Sequence, residues 1–476
     1  MQTKYLYLTL LAISSLAYFE LSEAQKDTKP PKTFTKLEII EFARIKHNFT
    51  DKEKNYIAYK DIIAKKYKVK KRPITITQTT IVDVPVAQAI EEKPKEVIKS
   101  EVSKDTKELT KEDKDIASII ASDDVDGQFN EIKNIREALL KNPRVPKWIK
   151  DSIRALSALR DEYDIDIGFS YRGVAQSDLI SNSSGVGSNM DLIAMYKPNE
   201  NSSVGFNLNA RHQVGDNSSS TFAQEIGSLY TTSPAYSDRD ILVSEFWYQY
   251  KIDALSMRLG VVDPGSFIDN SFFKSSSNYF FSSSISSTPY SLVPNNGLGI
   301  GMKYVKPSFF ISGQLSDSDA KAGESMDSVL NNDLSLYSAI EFGITPKNNR
   351  YYLTLWHRER ESSNAATGAI VSLNQTLDEL NKVFAKYAFS NEASATQYIS
   401  LGWGRKNFLD KDDKVGLAYS ASESKTNQEI QNTLEMFYRY DYYHGIQISA
   451  DIQILNPIYS SEDLAILPGM RLRIIF

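Results

Sequence analysis

The sequence predicts a transmembrane antiparallel β-barrel of about sixteen strands, preceded by a mostly helical and partly disordered extension. Three observations predict it. From Asp164 to the last residue, apolar and polar side chains alternate with period two; the chain opens with a secretory leader; and its final strand ends on an aromatic residue, Phe476. Alternation alone suits a soluble sandwich equally well, because only the direction of the apolar face differs. The leader, the length and the terminal aromatic favour the barrel, in which the apolar face meets lipid and the polar face meets water.

The leader comes first. Lys4 supplies a positive start, Leu6 to Phe19 is mostly apolar, and Ser22 and Ala24 are small residues placed for a cut before Gln25. This is the layout of a signal peptide over residues 1–24. No Cys stands near the cut to accept lipid, and the chain holds no Cys anywhere, which excludes disulfides, thiolate metal sites and Cys catalysis. No second apolar run is long enough to span a membrane as a helix.

Residues 25–150 form a basic, partly helical and partly disordered segment, expected in the periplasm. They hold 28 basic and 21 acidic residues, whereas 151–476 hold 26 and 37, so the two parts carry +7 and −11. Thr35 to Lys71 is Lys-rich with helical spacing; Arg72 to Val86 is β-branched; Glu91 to Asp115 is a mixed-charge run with almost no large apolar residue. Phe129 to Asp161 is helical again, interrupted at Pro143 and Pro146, with Ile149, Ile153, Leu156 and Leu159 on one face. The helix at 146–161 is expected under or in the periplasmic mouth of the barrel, and 151–476 is taken as the barrel domain.

Strands are expected at 164–172, 188–197, 203–212, 241–250, 255–263, 297–305, 308–316, 334–344, 350–359, 368–377, 382–389, 396–404, 413–421, 428–440, 445–455 and 468–476. An even number puts both ends on one side of the membrane. Connections such as Lys306-Pro307 are short, while 213–240, 264–296 and 317–333 are long, the asymmetry of periplasmic turns and outer loops. The loop 264–296 carries Phe272, Phe273, Tyr279, Phe280 and Phe281 among many Ser. So aromatic a loop is expected to fold into the lumen and narrow it.

The stretch SEFWYQYKIDALSMRLGVVDPGSFIDNSFF at 244–273 resembles the carbohydrate-selective outer-membrane porins of the OprB type. The matching positions are Glu245, Trp247, Tyr248, Arg258, Gly260, Asp263, Phe267 and Asp269. PNNGLGIGMKYVKPSFFISGQLSDSDA at 294–320, VFAKYAFSN, DDKVGLAYS, LEMFYRYDYYHGIQISADIQILNP and the closing GMRLRIIF are similar to later parts of that family, in order along the chain. The likeness covers about residues 150–476; the long basic extension and the Ser/Asn-rich loops depart from it. It implies a passive channel in the bacterial outer membrane for small hydrophilic solutes, preferentially sugars.

A channel needs a constriction, a field and hydrogen-bonding surface, not a nucleophile. By strand parity Asp166, Arg172, Asn207, Asn209, Arg211, Glu245, Trp247, Gln249, Arg258, Arg471 and Arg473 point inward. The candidate pore-lining set is Arg172, Arg211, Glu245, Trp247, Arg258, Asp263, Asp269, Arg471 and Arg473. Opposed Arg and carboxylate groups set up a transverse field, and Trp247 is expected to stack on the C–H face of a pyranose. The bland alternative for the charged residues is a solvated wall or an internal ion-pair ladder.

Expected partners are small sugars, the outer-membrane bilayer and, through residues 25–150, peptidoglycan or another envelope protein. No nucleic-acid-reading module, phosphate loop, metal spacing or cofactor motif is present, and four His give little basis for an enzyme. Two other readings stand beside the sugar channel: a general or cation-leaning porin, suggested by the −11 balance, and a tethering protein whose barrel is only an anchor.

Overall fold

The computed structural model describes residues 125–476 apart from 215–216, 218, 234–237, 270, 288, 322–334, 360–363 and 443–444. The chain divides into one unit over Met1–Asp105 and another over Thr106–Phe476, and the described residues belong to the second. The leader and the extension as far as residue 124 lie outside them.

Two helices come first: α1 (Val125–Lys141) and α2 (Lys147–Tyr163). Pro143 and Pro146 separate them, since neither ring can continue a helix interior. Asp164, left-handed at φ 58°, ends α2. Then come β1 (Ile165–Ser177), β2 (Ser184–Asn199), β3 (Ser202–Val214), β4 (Arg239–Ile252), β5 (Leu255–Val262), β6 (Gly297–Val305), β7 (Phe309–Asp317) and β8 (Leu336–Ile344). They are followed by β9 (Arg350–Arg358), β10 (Ala366–Thr376), β11 (Asn381–Ser390), β12 (Ala395–Lys406), β13 (Lys414–Ser424), β14 (Ile430–Asp441), β15 (Ile446–Leu455) and β16 (Ala465–Ile475). A short helix α3 (Ser219–Glu225) lies between β3 and β4. Each strand pairs antiparallel with its neighbours in sequence, and β1 pairs with β16 to close the barrel.

Closure removes every sheet edge. At the seam Ser170 faces Ile475 and Arg172 faces Arg473. Phe476 completes it. Its backbone N–H and carbonyl pair with those of Phe169 at 3.0 and 2.8 Å, and the two rings lie 5.8 Å apart.

The barrel is inside out relative to a soluble protein. Leu259, Phe246 and Met470 are 58, 56 and 62 % exposed on the outer face, whereas Glu341, Glu435 and Arg471 are almost fully buried on the inner one. That distribution suits lipid outside and polar groups within. Turns at one end are short, such as Asp253-Ala254 between β4 and β5; the opposite end carries the long connections.

Among the described residues, three pieces of chain pack inside the lumen. The loop between β5 and β6 folds inward, as the aromatic composition predicts. Phe273 and Phe280 pack on Phe384 of β11 and Phe437 of β14. The Glu435 carboxylate of β14 accepts from the Phe281 and Ser282 N–H groups, and Asp269 pairs with Lys386 of β11 at 2.8 Å. Buried charges of this kind require such partners.

The loop between β3 and β4 crosses the long-loop end. Phe222 and Ile226 pack with Leu455, Ala465 and Leu467 of β15 and β16, while the Thr232 hydroxyl donates to Gln176 of β1 at 2.7 Å.

The third piece is α1, and here the structure departs from the sequence reading. The sequence places residues 125–150 in the extension, yet α1 packs against the inner wall at the short-turn end. Phe129, Ile132, Ile135 and Leu139 form one apolar cluster with Ile193 and Met195 of β2, Trp247 of β4, Val262 of β5 and Ile475 of β16, joined by Ile153 of α2. Gly168 makes room: a Cβ there would lie 2.4 Å from Ile132 Cδ1. Arg136 reaches Asp166 of β1 at 2.7 Å, and Glu131 takes two bonds from Arg473 of β16 at 2.6 and 2.8 Å. The inner wall therefore carries an apolar patch, and α1 is the cover it requires.

Candidate functional site

A cavity of about 420 Å³ lies between the β1–β4 wall and the loop joining β5 to β6. Its floor includes Gln128 of α1, and Thr231 and Ser233 of the crossing loop border it. The wall contributes Arg172, Asn189, Asp191, Asn207, Asn209, Arg211, Arg239 and Glu245; the inward loop contributes Asp263 and several Ser.

Strand register assembles this wall. Arg172 stands opposite Asn189, which stands opposite Arg211; Asp191 stands opposite Asn209, and Asn207 opposite Glu245. Asp191 is the hub. Its carboxylate pairs with Arg172 at 2.6 Å and accepts from the amides of Asn189 at 2.7 Å, Asn209 at 2.7 Å and Asn207 at 3.3 Å. Asn189 in turn accepts from Asn209 at 2.7 Å and from Arg211 Nε at 3.3 Å, while Arg239 donates to the Asn209 carbonyl. So linked a network holds each side chain in one rotamer.

Two buried polar atoms on this wall lack a hydrogen-bond partner among the described residues: the acceptor Asn207 Oδ1 and the donor Arg239 Nε. Unpaired buried groups are costly, so they favour an occupant that both donates and accepts. Three guanidinium groups (Arg172, Arg211, Arg239) face three carboxylates (Asp191, Glu245, Asp263) around the cavity. The charges balance and leave a strong local field.

Arg172, Arg211, Glu245 and Asp263 of the sequence-derived set line this cavity; the others do not. Asp263 also fixes the loop's departure from β5, accepting from Gly265 N–H at 2.8 Å. Asp269 is buried against Lys386 and the Tyr352 hydroxyl. Arg471 binds the loop carbonyls of Ser276 and Tyr279 and lies over the Phe281 ring at 4.4 Å. Arg473 holds Glu131 of α1. These three tie the filling elements to the wall.

Trp247 requires correction. Parity places it inward, and it is inward, but it is only 1 % exposed. The Arg258 guanidinium covers its ring at 3.9 Å. Beside it Gly205 leaves the necessary space, because a Cβ there would stand 2.2 Å from Trp247 Cζ2. Its indole N–H donates to Glu245 at 3.0 Å. No ring face is open to a pyranose. Arg258 shares this burial, donating to Gln249 at 3.0 and 3.3 Å.

Sequence reading missed Asn189, Asp191, Arg239 and Gln128. The first two carried a usable signal, since 188–197 was already read as a strand and alternate positions of it had to face inward. Arg239 lay just before the expected strand, and Gln128 lay outside the assumed barrel. Among the described residues no group of three or more His, Asp or Glu is placed to hold a metal ion.

Set beside solved structures, the chain is similar to OprB of Pseudomonas putida at high pH, with 13 % identity, a TM-score of 0.58, and coverage of 70 % of this chain and 98 % of that one. The chain has the OprB barrel fold. The low-pH OprB structure follows with 14 % identity, a TM-score of 0.47 and coverage of 68 and 97 %. A mutant Rh. blastica porin follows with 11 % identity, a TM-score of 0.44 and coverage of 66 and 100 %. No family model and no curated protein sequence matches. Within the OprB barrel fold, the inward loop, the crossing loop and α1 all pack against the inner wall.

Proposed function

We propose that this protein is a passive outer-membrane channel for small hydrophilic solutes, preferentially carbohydrates, with no catalytic step. The cavity of about 420 Å³ carries the reading. Its charges cancel, its amide and guanidinium groups are prealigned, and an acceptor and a donor stand unpaired beside it. A polyol suits this wall because each hydroxyl both donates and accepts. An apolar solute would leave the buried polar groups unsatisfied. The pyranose-stacking role is dropped with Trp247; recognition rests on hydroxyl contacts with Arg172, Asn207, Arg239 and Glu245. The envelope partners expected for residues 25–150 remain part of the proposal; residues 25–124 of that segment lie outside the described ones.

Liposome swelling with purified protein tests it. Glucose is expected to enter faster than an amino acid zwitterion of similar size, and Asp191→Asn is expected to narrow that difference. Equal rates for all solutes would leave a general porin. One observation favours a second reading, an anchor barrel with a closed lumen: α1 packs its apolar face on the inner wall at the short-turn end, and its Gln128 lines the cavity. Absence of swelling with every solute would select it.

A further inference from the structure

At the short-turn end, beneath the inward loop, the inner wall turns strongly basic. Lys406 of β12 stands directly opposite Lys414 of β13, which stands directly opposite Arg439 of β14. Lys382 of β11 lines the same cleft, together with Lys406, Lys414, Glu379 and the rings of Phe272 and Tyr279. Like charges directly opposed across a ladder destabilise it. Such a row is retained where something negative sits against it.

Something negative does. Arg439 and Arg473 both donate to the side-chain oxygen of Asn278, each at 2.7 Å, so their guanidinium groups converge. Glu131 of α1 enters this convergence and binds Arg473 through both carboxylate oxygens. Burial alone would raise its pKa; the charges of Arg473, Arg439 and Lys414 bring it down to about 2 instead. Lys414 Nζ donates to the Tyr279 hydroxyl at 3.4 Å, and that ring's centre lies 4.7 Å from the ammonium. Glu131 is one carboxylate at the edge of a site built from several cations.

We propose that Lys406, Lys414, Arg439 and Arg473 form an anion-binding site for a small solute bearing a carboxylate or a phosphate, with Glu131 of α1 as the resident competitor. The site deepens the channel reading and rests on it: neutral and anionic sugars meet the balanced cavity at one end, and the basic row then favours the anionic ones. Displacing Glu131 removes one of the two charged ties holding α1 in the lumen.

Equilibrium dialysis of the full mature protein in detergent, at low salt, tests this with three probes: glucose, gluconate and glucose 6-phosphate. At least one anionic probe is expected to bind about tenfold tighter than glucose; which one does so distinguishes carboxylate from phosphate. The pair Lys406→Gln and Lys414→Gln should bring that probe to the level of glucose, while Glu131→Gln should raise its affinity several-fold. The opposite signs of these two changes separate loss of the site from loss of folding. Anions binding no tighter than glucose, or undiminished binding in the double variant, would overturn the site. Because dialysis needs no open pore, a protein that binds anions but fails to swell liposomes would refute the channel reading and keep the site.

Discussion

Trp247 shows how one side chain changes meaning when the lumen is filled. Parity makes it inward, and an inward aromatic in an open pore would be a stacking surface. Here α1, Phe267 and Arg258 enclose it, so its role is packing. Trp247→Ala is therefore expected to lower stability by roughly 3–5 kcal/mol, the range for emptying a large buried site, measured as earlier thermal unfolding of the barrel. Glu131 of α1 gives a pH prediction. Its folded pKa lies near 2, below the ordinary 4.5, because Arg473 on β16, Arg439 on β14 and Lys414 on β13 outweigh the cost of its burial. A depressed carboxylate stabilises above the unfolded pKa and loses that contribution as pH falls through the folded one. Docking of α1 is expected to be constant from pH 5 to 8 and to weaken from about 4.5 towards 2. Conductance recorded across that window should rise, and Glu131→Gln should abolish the rise.

At the scale of elements, the inward loop and α1 occupy the lumen by different means. The loop is fixed by wall groups that reach it: Glu435 accepts from its N–H groups, Arg471 donates to its carbonyls, and Lys386 donates to its Asp269. Deleting 272–288 is expected to raise single-channel conductance while leaving the strands paired; unchanged conductance would mean that the loop does not narrow the path. The helix is held by an apolar face and two charged ties, Arg136 to Asp166 and Glu131 to Arg473. A chain lacking residues 25–146 should conduct more than the full mature chain, because the floor of the cavity departs with α1. If it conducts less, the helix supports the barrel instead of stoppering it.

For the whole molecule, legibility follows from the two solvents. Lipid outside and polar groups inside impose strict alternation on every strand, so sixteen strands and their inner faces could be read within a few residues, as with 297–305 for Gly297–Val305. The aromatic loop was legible because Phe272, Phe273, Phe280 and Phe281 need cover. What the sequence hid was the fill on the other side. Ile193, Met195, Val262 and Ile475 are inward apolar residues that read as defects of the alternation, and the apolar face of α1 reads as that of any surface helix. Only their meeting gives either a meaning, and neither contains the other's address. The charge balance is a sum that hides the local pattern: 151–476 total −11, while Lys406, Lys414, Arg439 and Arg473 stand together on the inner wall at the short-turn end.

A permeating sugar is expected to occupy the balanced cavity on its way through. The most direct measurement is ion current through single channels in a planar bilayer as glucose is added. A saturable fall in current is expected, weakened by Asp191→Asn and by Glu245→Gln. A steady current indifferent to glucose at every concentration, or no current at all, would contradict it.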